Sequence, residues 1–241
     1  MIYRIIKFLN KLINDLIFIF LLVMLSVGSY GIYNSNIVYT SAKIDEKIVE
    51  HRPNGENNKT EFKQLKEFNN NIIAWINLNN TKIDYPIVKG TDNYEYLKKD
   101  YNGNYSASGA IYLDYRNSSD FSDKYMAIFG HHMSHGNMFG DLDKYRDKNF
   151  FYANKEGTLY LPNCTYKLEI FACGKFESMN QKIYNIDKYS DDDIRELNEY
   201  VKNYAMYYRN IEITENSRII ALSTCSGEKA NMRFVVFALL E

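Results

Sequence analysis

Leu16 to Tyr33 is an 18-residue stretch without a single charged side chain. That length is the lower edge of what crosses about 30 Å of hydrocarbon as a helix rising ~1.5 Å per residue. Leu12 and Ile13 extend the apolar run past Asn14 and Asp15 at its boundary. It is apolar on every side, which fits poorly with a helix buried along one face of a soluble core. Arg4, Lys7 and Lys11 precede it, and the positive-inside rule then places the N-terminus in the cytoplasm. A cleaved signal peptide would have a shorter apolar run and a small-residue cleavage site. Ser26-Val27-Gly28, embedded in the run, makes a poor one. The expectation is an uncleaved signal-anchor, with everything after about Asn34 outside the cell.

Composition limits the kind of domain this anchor can carry. The 241 residues include 29 Lys+Arg against 30 Asp+Glu, with 46% apolar and 24% charged residues. Those values exclude a collagen-like chain, a disordered tail and a polybasic nucleic-acid binder. Three cysteines are too few for a disulfide scaffold, and the odd count leaves at least one thiol unpaired. Only 3 prolines against 22 tyrosines favour a strand-rich fold.

The expected organisation is a cytoplasmic tail over 1–11, a span over 12–34, a stalk with N-terminal helices over 35–70, and a catalytic barrel over 71–241. Ile44, Ile48 and Val49 give the stalk a weak helical stripe, broken at His51-Arg52-Pro53-Asn54-Gly55. Phe62 to Phe68 reads as another helical turn. Short strand-like runs then dominate: 72–77, 82–88, 110–113, 125–129, 158–161, 166–172, 218–224 and 232–240. Gly, Asn, Asp or Pro clusters bound each, which argues for an antiparallel barrel or sandwich. One helix interrupts them. Ser190 is placed to cap it, Asp191 to Asp193 suit its positive end, and Ile194, Leu197, Val201, Tyr204 and Tyr208 form its apolar face.

Three features bear chemistry. Leu222-Ser223-Thr224-Cys225-Ser226-Gly227 ends a strand on a thiol facing a loop, although a free cysteine is more commonly a small buried hydrophobe. Cys164 and Cys173 take that blander reading, and a bond between them is not expected. Gly130-His131-His132-Met133-Ser134-His135-Gly136 holds three of the four histidines. His131 and His135 are four apart, but flanking glycines argue against a helix, no Glu follows as a zinc protease needs, and no metal is expected. A histidine after a strand and a glycine suits general acid–base work. Arg233 begins the last strand, only seven residues (226–232) beyond Cys225, so a hairpin would set it beside the thiol. Its competing reading is a surface arginine paired with Glu228 or another carboxylate. Together the three supply a nucleophile, a proton donor and an oxyanion donor.

The order and spacing of several segments resemble the class B sortases of Gram-positive bacteria. These are Ala74-Trp75-Ile76, Thr81-Lys82-Ile83-Asp84-Tyr85-Pro86-Ile87-Val88 and Gly109-Ala110-Ile111-Tyr112-Leu113-Asp114-Tyr115-Arg116-Asn117. Further on come Gly130-His131-His132-Met133, Met138-Phe139-Gly140-Asp141-Leu142, and Leu222-Ser223-Thr224-Cys225 followed by Arg233. The resemblance spans roughly Ile73 to Leu240. Where the family often has Asn after the catalytic His, this chain has His132. It implies a mainly β fold: an eight-stranded sortase β-barrel with N-terminal helices and one helix before the cysteine-bearing strand. It further implies a membrane-anchored cysteine transpeptidase facing the cell wall. Such an enzyme cuts a C-terminal sorting motif of secreted proteins after its Thr and passes the product to a peptidoglycan cross-bridge amine. On this resemblance Cys225 forms the thioester, His131 moves the proton, Arg233 stabilises the oxyanion, and Ser223 and Thr224 line the site. No cofactor and no nucleic acid is implied. Two other classes stay open on the residues alone: a papain-like cysteine hydrolase, which needs an Asn or Asp orienting the His, and a non-enzymatic membrane-tethered binding module.

Overall fold

In the computed structural model, the apolar run lies within one helix, α1, spanning Ile2–Ser41. The structure describes residues 1–189, 191–225 and 231–241, without the side chains of residues 41, 188, 191, 192 and 225. Ser190, expected as a helix cap, and Glu228, the alternative partner of Arg233, therefore lie outside the described residues. Helix α1 is long and apolar enough to cross a membrane. The chain divides into two units, Met1–Thr40 and Ser41–Glu241.

The second unit begins with two short helices. Helix α2, Glu46–Val49, starts at Asp45, whose carboxylate accepts the Lys47 amide at 3.0 Å. Helix α3, Asn58–Phe68, buries Phe62 and Leu65. Both helices pack through Ile48, Phe62 and Leu65 on a cluster that includes Ile72, Trp75 and Tyr96. Asp84 fixes this corner, accepting the Trp75 indole N–H at 2.7 Å and the Arg52 guanidinium at 2.7 Å.

The strands are β1 (Ile72–Leu78), β2 (Asp84–Val88), β3 (Ile111–Leu113), β4 (Tyr125–Phe129), β5 (Glu156–Tyr160), β6 (Thr165–Glu177), β7 (Tyr207–Tyr208), β8 (Arg218–Cys225) and β9 (Met232–Leu240). Their order is β5-β1-β2-β3-β4-β8-β9-β6, and a β5–β6 pairing closes the ring into an eight-stranded barrel. Strand β7 lies outside that ring, on the flank of β6. The barrel is not wholly antiparallel: β2–β3 and β4–β8 pair parallel. A parallel join needs a long crossover, and residues 89–110 and 130–217 supply them.

Helix α4, Asp191–Tyr204, packs Ile194, Leu197 and Val201 against Phe171, Phe176, Val235 and Phe237. The expected apolar face is one turn too long. Tyr204 is 64% exposed, and Tyr208 belongs to β7. The main chain leaves the helix to join the sheet, with the Met206 amide donating to the Cys173 carbonyl at 2.8 Å.

Candidate active site

The ends of β4, β8 and β9 meet at one rim of the barrel. Parallel pairing sets Phe129 beside Ser223, and the Gly130 amide donates to the Ser223 carbonyl at 3.2 Å. His131 and Cys225 each stand two residues beyond that pair. In the antiparallel ladder, Cys225 is the partner of Arg233. Residue 130 has room only for glycine, because a Cβ would approach Ile111 Cδ1 to 2.4 Å and Phe139 Cδ2 to 2.8 Å. The two strand ends therefore close tightly just before the histidine.

A cleft of about 340 Å³ opens there, lined by His131, Ser223, Thr224 and Arg233. The Ser223 hydroxyl hydrogen-bonds the Tyr184 hydroxyl at 2.9 Å. Thr224 is 2% exposed, and its hydroxyl oxygen has no hydrogen-bond partner among the described residues. Arg233 donates from Nη1 to the Met232 carbonyl at 3.3 Å. Every expected site residue with a described side chain is thus on the cleft wall, and Cys225 is placed by its backbone.

The three neighbouring histidines diverge. His131 Nε2 lies 2.9 Å from the Leu97 carbonyl oxygen, His132 Nε2 lies 2.7 Å from an Asp143 carboxylate oxygen, and His135 sits in a tight turn at φ 62°. The other two cysteines are free, with Cys164 half-buried and Cys173 buried. Burial pushes the Cys173 thiol up to about 12, and its Sγ donates to the Tyr145 carbonyl at 3.3 Å.

Asp114, at the far wall, is a structural neighbour of the site that the sequence pattern did not single out. It is fully buried and accepts from Arg116 Nε at 2.9 Å, Arg116 Nη2 at 2.8 Å and Asn93 Nδ2 at 2.9 Å. Burial raises its pKa, but the Arg116 and Asn93 hydrogen bonds outweigh that, leaving the carboxyl below its usual value. Arg116 also donates to the Tyr184 carbonyl at 2.9 Å, joining the two walls of the cleft. The available signal was an Asp and an Arg two apart directly after an apolar strand.

A family model for the sortase domain matches residues 76–241. The chain belongs to the sortase family. Over 172 residues it is 36% identical to Sortase B of Listeria monocytogenes, covering 71% of this chain and 69% of that protein. Among solved structures it is similar to a Streptococcus pyogenes class B sortase involved in pilus biogenesis. That match has 37% identity, a TM-score of 0.68, and coverage of 75% of this chain and 97% of the other. It is also similar to a Staphylococcus aureus sortase B–substrate complex, at 25% identity and TM-score 0.71, covering 87% of this chain and 96% of the other. Sortases are cysteine transpeptidases, so this chain is an enzyme of class B type, and the binding-module alternative falls away. The closed eight-stranded barrel is the sortase architecture.

Proposed function

We propose that this sortase is tethered to the cell membrane by α1, with its barrel outside, and cuts a C-terminal sorting motif after Thr. Cys225 attacks the Thr carbonyl: a C–S bond forms, the peptide C–N bond breaks, and His131 gives a proton to the leaving amine. A peptidoglycan cross-bridge amine then attacks the thioester, transfers its proton to His131 and releases the thiolate. Arg233 holds the oxyanion that forms in each step, through a fork of donors suited to it. Ser223 and Thr224 line the substrate cleft. One observation carries the reading: Cys225 and Arg233 are ladder partners at the same rim where His131 emerges from β4. Arg4, Lys7 and Lys11 support a cytoplasmic N-terminus.

The test uses the full chain in detergent micelles, labelled peptides ending in candidate motifs, and an added amine. Cleavage after Thr with an amine-linked product is the expected result. Cys225→Ala should abolish both cleavage and thioester capture, and His131→Ala should nearly do so. Cleavage by Cys225→Ala at the parent rate would sink the mechanism, and release to water alone despite abundant amine would sink the acceptor assignment.

A further inference from the structure

His131 is held by a main-chain atom. The carbonyl oxygen 2.9 Å from its Nε2 belongs to Leu97, in the turn Glu95–Leu97 of the β2–β3 crossover. A carbonyl has no proton to give, so the ring is the donor at Nε2. That holds whether the imidazole is neutral or charged. The nitrogen that changes state is then Nδ1.

The close approach of this turn depends on Gly109. Its φ is +60°, and a Cβ there would stand 2.7 Å from the Tyr96 carbonyl oxygen, 2.9 Å from that of Leu97 and 3.0 Å from His131 Cδ2. Two of the three are main-chain atoms in a turn already pinned. Ala110 donates its amide to the Tyr96 carbonyl at 3.0 Å. The Tyr96 hydroxyl accepts from Asn69 at 3.0 Å and from Asn71 at 2.9 Å. The turn therefore has little freedom to retreat from a new methyl group.

We infer that the Leu97 carbonyl, seated by Gly109, fixes His131 as the Nε2–H tautomer and reserves Nδ1 as the atom that exchanges the proton during transfer. The inference rests on the reading of His131 as the proton carrier. In the first half-reaction the Nδ1 proton goes to the leaving amine as the C–N bond breaks. In the second, Nδ1 takes a proton from the incoming amine as the C–S bond breaks, so the ring returns to its starting state. Gly109 is a positioning residue in this scheme and touches no substrate.

Nitrogen-15 NMR of the full chain in micelles, with labelled histidine, reads the tautomer directly when the ring is neutral. The expected result is the Nε2–H form in the parent and a mixture in Gly109→Ala, with kcat reduced more than KM raised. An Nδ1–H parent overturns the proposal, and so does a folded Gly109→Ala with an unchanged tautomer and kcat. Replacing the His131 ring by that of pyrrol-3-ylalanine, which keeps an N–H at the Nε2 position and has a C–H in place of Nδ1, should cost about 10²–10⁴-fold in turnover. Near-parent turnover by the pyrrole ring, where His131→Ala is inactive, likewise overturns it. Should Gly109→Ala fail to fold, the parent tautomer and the pyrrole ring decide. An active His131→Ala would refute the proton-carrier reading itself, a result distinct from a wrong tautomer.

Discussion

Arg233 and Asp114 show two different uses of charge at the cleft. The proposed role of Arg233 depends on a planar fork of donors, which a point charge does not reproduce. Arg233→Lys should therefore lower kcat/KM for the motif peptide by about 10²–10³-fold. Near-parent turnover would remove Arg233 from the oxyanion role. Asp114 is structural: breaking its buried pair with Arg116 should cost on the order of 3 kcal/mol. Its folded-state pKa is depressed, so the stability it contributes is full above the usual value of 3.8 and lost as pH falls through the folded value. Urea midpoints from pH 6 down to about 2 should show the gap between parent and Asp114→Asn closing as the pH drops; a constant gap would contradict the ion-pair account. Cys225, His131 and Arg233 could be nominated from the sequence as the proposed catalytic set because side-chain chemistry has residue types and spacing. Leu97 was not, since the group it offers His131 is a carbonyl that every residue possesses. Gly109 was visible only as one letter of a longer segment, because its role depends on what comes near it in space.

At the level of elements, the eight barrel strands were readable as apolar runs bounded by turn residues, with β4 and β9 matching the expected limits. Strand direction was not readable, because a period of two is the same whichever way the neighbour runs. This is why β2–β3 and β4–β8 were unforeseen as parallel joins. Strand β7 has only two residues, too few to show any period. The helical spacing through Tyr204 and Tyr208 continued past the true end of α4, where pairing with β6 wins over propensity. The contrast along this helix is measurable. Leu197 is fully buried, and Leu197→Ala should cost about 2–5 kcal/mol in unfolding free energy. Tyr204→Ala, at a largely exposed position, should change it by less than about 1 kcal/mol. Equal costs would mean that α4 packs on a different face.

At the level of the whole molecule, the charge-free run was the plainest signal in the sequence, and the division at Thr40–Ser41 lies close to its end. The helices over 46–68 belong to the second unit. A chain beginning at Ser41 should keep the parent's thermal midpoint for the barrel. One beginning at residue 71 loses Ile48, Phe62 and Leu65, each fully or almost fully buried. At about 1.5–3 kcal/mol apiece, that loss is comparable with the stability of an entire domain, ~5–15 kcal/mol. Circular dichroism should show the shorter chain unfolded or melting far lower; equal midpoints would mean that α2 and α3 contribute nothing to the barrel.

The β4–β8 join has a consequence in time rather than space. Residue 129 waits for residue 223 before the rim can form, and contacts so distant along the chain are among the slowest to be made. Nearly the whole barrel sequence must be made before the histidine, the arginine and the thiol-bearing strand become neighbours. Catalytic competence is thus a terminal event of maturation. A nascent chain carries a latent cutting tool, held inactive by topology until its last strands arrive.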